Sequence, residues 1–265
     1  MQQAFDTIAS SYDTSFTNSI IGTAQREIVW KYLDKSLSQK KMNILELNSG
    51  TGEDALRFAN KGHKVIATDI SEKMLEIIRE KIYESDLSSQ IQTQHLDINE
   101  IQKRYFEEPI DLVFSNFGGM NCISFKEMNN LSSVLCRLLK PNGRLIMIIM
   151  PKYCLWETKY FLLKLNLKKA FRRFSDNGSI AKLNQVELRT FYYSPGQIKR
   201  IFRKYFDIMA IKPIGFFVPP SYLEKFFATK KKTFSFLQRS ENWITNQSYL
   251  AGFSDHFLID LQVKK

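Results

Sequence analysis

Ile44-Leu45-Glu46-Leu47-Asn48-Ser49-Gly50-Thr51-Gly52-Glu53-Asp54-Ala55 is the stretch on which the reading of this chain turns. An apolar run ends near an acid, a glycine-bearing turn follows, and a helix-forming segment opens behind it. Small and left-handed-tolerant residues at that junction let the backbone pass close to a ligand. Such a loop suits a nucleotide-like cofactor.

On either side of this loop, strands and helices alternate. Apolar residues at Ile20, Ile21, Ala24, Ile28 and Leu33 predict a helix over about 18–34. The first strand is Asn43 to Leu47, and a helix follows from about Gly52 to Asn60, with Gly62 closing it. Val65 to Thr68 is a second strand ending at Asp69. Ser71 is a candidate N-cap for a helix of about 71–85. Ile91 to Leu96 and Ile110 to Phe114 read as strands three and four. A helix of about 125–139 and a turn at Lys140-Pro141-Asn142-Gly143 come next. Leu145 to Met150 lacks polar alternation and reads as a strand covered on both faces. This alternation predicts an α/β fold with a parallel sheet and right-handed crossovers.

After Pro151 the pattern changes. Trp156, Tyr160, Leu163, Leu167, Phe171 and Phe174 recur at helical spacing among Lys159, Lys164, Lys168, Lys169, Arg172 and Arg173. The expectation is one basic amphipathic helix over 154–174, with a face that can meet an anionic bilayer. Ile180 to Leu183 and Val186 to Tyr193 predict a hairpin joined near Asn184-Gln185. Ser194 with Gln197, and Ser221 with Glu224, read as capping boxes. Phe206 to Ile211 and His256 to Val263 are further strands, with helical segments filling about 222–250.

Composition limits the classes. At 265 residues, 44% of them hydrophobic, the chain can hold one large α/β domain with an inserted cap. No charge-free run of 18 apolar residues predicts a spanning helix. Met1 to Ser10 lacks the basic and apolar regions of a signal peptide. Cys122, Cys136 and Cys154 show neither paired nor metal-type spacing, so a cytoplasmic location and no metal are expected. Residues 1–150 carry 17 Lys+Arg against 19 Asp+Glu, and residues 151–265 carry 21 against 8. The second part would attract an anionic substrate, membrane surface or nucleic acid, unless it is simply a solvated basic face.

Gly50-Thr51-Gly52-Glu53-Asp54-Ala55 satisfies the dinucleotide pattern G-x-G-x-x-G/A. Glu46, Glu53 and Asp54 argue against a pyrophosphate at that helix start. They suit a cationic, phosphate-free cofactor such as S-adenosylmethionine, with its sulfonium and ammonium groups. Asp69, 17 residues after Gly52, can accept both ribose hydroxyls. Asp97 can meet the adenine amine, or merely cap a helix near Asn99. Ile70, Met74 and Ile98 can sandwich the ring.

With these residues in place, the chain resembles the class I S-adenosylmethionine-dependent methyltransferases of small-molecule type. The resemblance rests on the segments 44–52, 65–71, 95–98, 111–117 and 138–145, in order and spacing over roughly 42–150. The opening Phe5-Asp6-Thr7-Ile8-Ala9-Ser10-Ser11-Tyr12-Asp13 also looks like the family's closing segment. The resemblance implies a Rossmann-like, three-layer doubly wound, seven-stranded sheet whose last strand is antiparallel. It also implies cofactor roles for Tyr12, Asn48, Gly50, Asp69, Asp97 and Asn116. With the residue reading, the candidate cofactor set adds Glu46, Leu47, Gly52, Ile70, Met74, Ile98 and Phe117. Asn48 stands where the family usually has glycine, and asparagine tolerates the left-handed region.

One domain is expected over 1–265: a helical lid at 1–34, a cofactor core at 42–150, cap segments at 151–193 and 213–250, and the remaining sheet at 194–212 and 253–263. Ser115-Asn116-Phe117-Gly118 lacks the prolines typical of base-amine methylation, and Cys122 reads as a packed thiol. His256 beside Asp255 is the candidate base. Tyr192 and Tyr193 are candidates for the acceptor pocket. The leading reading is methyl transfer to a small organic acceptor, aromatic, lipophilic or anionic. An RNA methyltransferase, a non-catalytic cofactor-binding module and an NAD-dependent oxidoreductase are the alternatives. Oligomeric state is not legible.

Overall fold

The computed structural model describes residues 2–37, 40–183 and 186–264. Among the described residues, nine strands form in chain order: β1 (Asn43–Leu47), β2 (Lys64–Asp69), β3 (Ile91–His95), β4 (Ile110–Ser115), β5 (Leu139–Ile149), β6 (Ser179–Leu183), β7 (Val186–Thr190), β8 (Phe206–Ile214) and β9 (His256–Val263). Seven of them build one sheet in the order β3-β2-β1-β4-β5-β9-β8, and β6-β7 form a separate hairpin. In the main sheet β9 is antiparallel to both neighbours and all the other pairings are parallel. The architecture is the expected one. The proposed hairpin turn at Asn184-Gln185 lies outside the described residues.

Strand periodicity sorts the core. Leu45 and Leu47 face one way with Val113, Leu145 and Met147, under Leu131 and Leu135 of the helix Phe125–Leu138. Ile44 faces the other way with Val65, Leu112 and Ile146. The helices Ile20–Ser36, Glu53–Asn60 and Glu72–Glu84 cover that face through Val29, Phe58 and Ile78. Both faces are covered, which is why these strands read as continuous apolar runs. Leu47 pairs with Thr68 of β2 and with Ser115 of β4. That register brings three carboxyl-terminal strand ends to one edge, where ligands of open α/β sheets bind.

Local signals account for the helix ends. Ser19 accepts from the Gly22 N–H, Ser71 from Met74, and Ser194 with Gln197 forms the expected capping box. Gly52 opens the helix Glu53–Asn60 at φ +83°, and a Cβ there would lie 2.9 Å from Ile78 Cγ1. Gly52→Ala is therefore expected to cost about 2 kcal/mol from backbone strain and overpacking together, measured by urea denaturation.

Three local expectations are corrected. Lys140-Pro141-Asn142-Gly143 is not a separate turn. It lies within β5, Asn142 has φ +63°, and the pairing with β4 shifts register there. Ser221 and Glu224 form no capping box, because the Glu224 carboxylate accepts the Ile20 and Ile21 N–H groups of another helix. Residues 154–174 do not form one helix. They split into helices Leu155–Leu163 and Leu167–Ala170 and a 3-10 turn Arg172–Phe174. Leu165 has φ +53°, and Asn166 caps the second helix through the Lys169 N–H. The break turns Arg172 and Arg173 back toward the buried carboxylate of Glu157, at 2.7 and 2.9 Å.

Among the described residues, no helix is long and apolar enough to cross a membrane, and no group of His, Cys, Asp or Glu could hold a metal ion.

Candidate active site

The ends of β1, β2 and β4 open into a cavity of about 270 Å³. Its floor is the quoted loop, with Glu46, Asn48, Gly50 and Asp54 lining it. Asn48 has φ +56° and Gly50 φ +56°, so the loop keeps its tight path with an asparagine in the first position. Asp69 holds that path. Its carboxylate accepts the Gly50 N–H and the Ser71 N–H, both at 2.9 Å. Burial still lifts its pKa to about 6 against these bonds.

Asp54 and Glu46 differ sharply in environment. Asp54 accepts from Arg26 at 2.9 Å, Trp30 at 2.6 Å and Asn116 at 2.8 Å, all in the interior. Glu46 is equally buried, yet its Oε2 has no hydrogen-bond partner. Burial, then the charge of Asp54, pushes its pKa well above the ordinary range. Asn48 Nδ2 is a second buried atom without a partner on the same wall. An unmatched acceptor and an unmatched donor side by side would complement an ammonium and a carboxylate on one ligand.

The opening segment covers this floor. Phe5, Ile8 and Tyr12 line the cavity, and the Tyr12 ring lies over Gly50. Asp6 meets Ser71 Oγ at 2.5 Å, Asp13 meets Thr51 Oγ1 at 2.5 Å, and Asp13 pairs with Lys81 at 2.7 Å. Burial raises the Tyr12 hydroxyl to about 12, so it stays protonated at neutral pH.

The opposite wall is apolar. Gly118, Gly119, Cys122 and Met150 meet Ala181, Leu188 and Thr190 of the hairpin. Burial pushes the Cys122 thiol up to about 12, which leaves it a packed thiol rather than a nucleophile.

Of the residues singled out from sequence, Tyr12, Glu46, Asn48, Gly50, Asp69, Ile70, Met74, Asn116 and Phe117 line the cavity. Leu47 and Gly52 support the loop from the core, outside the lining. Asp97 caps the 3-10 turn Ile98–Lys103 through the Asn99 N–H, and Ile98 packs inward; neither reaches the cavity. Tyr192 and Tyr193 are both buried away from it. Tyr193 donates to the Ile123 carbonyl, and Tyr192 lies under Arg173. His256 does not line it either. It packs edge-on against Phe117, with centroids 5.3 Å apart, and its Nδ1 is 3.3 Å from Asp255. Missed from the sequence were Arg26, Gly118, Gly119, Met150 and the hairpin residues Ala181, Leu188 and Thr190. The Gly118-Gly119 pair was the one readable signal among them.

Residues 44–143 match the family model of the methyltransferase domain. The chain thus carries a methyltransferase domain. It is 31% identical over 149 residues to the ubiquinone/menaquinone biosynthesis C-methyltransferase UbiE of Francisella tularensis subsp. novicida, covering 54% of this chain and 56% of that one. It is 27% identical over 112 residues to the tRNA 5-carboxymethoxyuridine methyltransferase of Escherichia coli, covering 41% and 42%. The chain thus spans about half the length of these curated relatives, or less. A solved S-adenosylmethionine-dependent methyltransferase from Clostridium acetobutylicum superposes with a TM-score of 0.64 at 13% identity, over 98% of this chain and 99% of that one. S-adenosylmethionine is the cofactor of this methyltransferase class. The unmatched atoms of Glu46 and Asn48 are chemically complementary to its ammonium and carboxylate groups.

Proposed function

We propose that this methyltransferase passes the methyl group of S-adenosylmethionine to a small organic acceptor enclosed beneath the hairpin. The observation that carries this reading is the two-sided cavity, acidic along its floor and apolar beneath Leu188 and Ala181. When bound, the cofactor supplies a methyl group made electrophilic by its sulfonium. Glu46 faces the ammonium, Asn48 and Arg26 the carboxylate, and Asp69 the ribose hydroxyls. The lid segment and hairpin exclude water and hold the acceptor in line. Among the described residues of the apolar wall, no side chain is a strong base. This favours an acceptor that brings its own nucleophile, such as an acidic carbon, an amine or a thiol. The apolar wall and the UbiE relative support a lipophilic small molecule over RNA, although a tRNA methyltransferase matches over a smaller share of the chain.

Glu46→Gln tests the reading. The neutral isostere should weaken S-adenosylmethionine binding at least about tenfold, read by calorimetry. The cofactor-free protein should unfold at no lower a temperature, because burial already favours the neutral carboxyl there and the amide keeps its shape. Undiminished binding would remove Glu46 from the site. Absence of binding in the parent protein would remove the function.

The proton on Asp69 gives a second expectation. Its folded pKa of about 6 stands above the ordinary value of 3.8. Its contribution to stability is therefore full below the lower value and is lost as pH rises through the higher one. Cofactor binding takes the carboxylate as its anion, so affinity should fall as pH drops below about 6. Near pH 6 binding should release protons, seen as a calorimetric enthalpy that depends on the buffer. An enthalpy independent of the buffer would contradict it.

A further inference from the structure

The broken helix of the cap places its apolar side chains outside. Leu163 is 76% exposed, Leu165 91% and Leu167 63%. Leu165 also holds a left-handed backbone that leucine seldom adopts, and no packing within the chain offsets the strain. The turn is nevertheless well made. The Leu165 N–H donates to Leu162 and the Asn166 N–H to Phe161, both at 2.9 Å, while Asn166 caps the next helix. The leucines therefore project from a defined apex rather than a loose loop.

Cations surround that apex. Lys159, Lys164, Lys168 and Lys169 are exposed and make no ion pair among the described residues. Lys164 lies over the Tyr160 ring and Lys169 over Phe161, which sets their head groups beside the leucines. Residues 152–176 hold seven Lys+Arg and two acids. Both acids are already engaged, Glu157 by Arg172 and Arg173, and Asp176 by Lys152.

We infer that this apex inserts into the surface of a bilayer rich in anionic phospholipid. The leucines enter the acyl boundary and the lysines meet the phosphates. RNA would satisfy the lysines but offers the three leucines neither hydrocarbon nor a shape to fill, and they have no face on which a base stacks. The same cap leads into β6, where Ile180 is exposed and the next residue, Ala181, lines the cavity. The bilayer contact itself goes beyond the proposed activity and does not depend on which acceptor is methylated.

Flotation of the whole chain with phosphatidylcholine vesicles, with and without phosphatidylglycerol, tests the contact. Binding is expected with phosphatidylglycerol, weakened by salt, and slight without it. Leu163→Ser with Leu165→Ser should weaken it about tenfold or more. Lys168→Glu with Lys169→Glu should weaken it by about fivefold per lysine or more. Leu165→Gly separates folding from binding, since glycine relieves the left-handed strain: its melting temperature should hold or rise while vesicle binding falls. Equal vesicle binding by the serine pair, or by Leu165→Gly, would overturn the inference. So would equal binding to both vesicle types, or binding to single-stranded RNA with none to vesicles. S-adenosylmethionine calorimetry on the same samples reads the proposed activity separately.

Discussion

Arg173→Met is expected to destabilise the protein by about 3–5 kcal/mol, the size seen when one partner of a buried ion network is removed. The Arg173 guanidinium is buried and donates to Glu157 Oε2 at 2.9 and 3.1 Å, to Asp255 Oδ1 at 2.9 Å and to the Asp255 carbonyl at 3.1 Å. It thereby ties the cap to the start of β9. Without it Asp255 keeps only Gln25 at 3.2 Å and the weaker contacts with His256 and Cys154. The network, His256 and Arg173 together, overcomes burial and holds the Asp255 carboxyl well below the usual range, so an anion would be left with few donors. Arg172→Met is the contrast. Arg172 is partly exposed, and Glu157 would keep Arg173, so the expected cost is about 1 kcal/mol or less. Urea denaturation of both variants checks the pair. Equal losses would mean that Arg173 is no more than a surface cation.

Asp69→Ala should lower affinity for S-adenosylmethionine at least about 100-fold. On the proposed reading this carboxylate accepts both ribose hydroxyls while also holding the loop through the Gly50 N–H. Two charge-assisted bonds contribute roughly 1.5–3 kcal/mol each, and loss of the loop anchor adds to that. Asp69→Asn should fall between, because one amide oxygen replaces two carboxylate oxygens and the amino group must face an N–H donor. The demethylated product shares the ribose, so its affinity should fall by the same factor. Calorimetry with both ligands decides. A loss confined to one of them would place Asp69 elsewhere on the cofactor.

The cofactor end of the site was largely legible because its chemistry is local. Glu46, Asn48 and Gly50 sit within five residues, and Asp69 follows at the end of the next strand. Asp97 shows the limit of such reading. A strand-end acid that could meet an adenine serves equally as a cap, and here it caps Ile98–Lys103. Arg26 and Trp30 were not legible. They reach Asp54 from a helix more than twenty residues upstream, where they sit in an ordinary amphipathic pattern. Tyr192 and Tyr193 looked like pocket residues because aromatic rings often are. Their side chains are taken up by packing, and the wall falls instead to Ala181, Leu188 and Thr190, which carry no signature.

From the sequence alone followed the parallel core, the place of the candidate cofactor loop and its preference for a cationic ligand without phosphate, while the antiparallel last strand followed only from the family resemblance. Runs of apolar residues, glycines at a strand end and clustered carboxylates act over a few residues, so their meaning survives without coordinates. Only the tertiary structure decided which cations of the cap turn inward and which stay outside. Helical periodicity gives Arg172, Arg173, Lys168 and Lys169 the same standing, whereas Leu165 and Asn166 break the helix and one buried carboxylate, Glu157, takes the two arginines. That choice docks the cap against the start of β9 and leaves leucines and lysines on the surface.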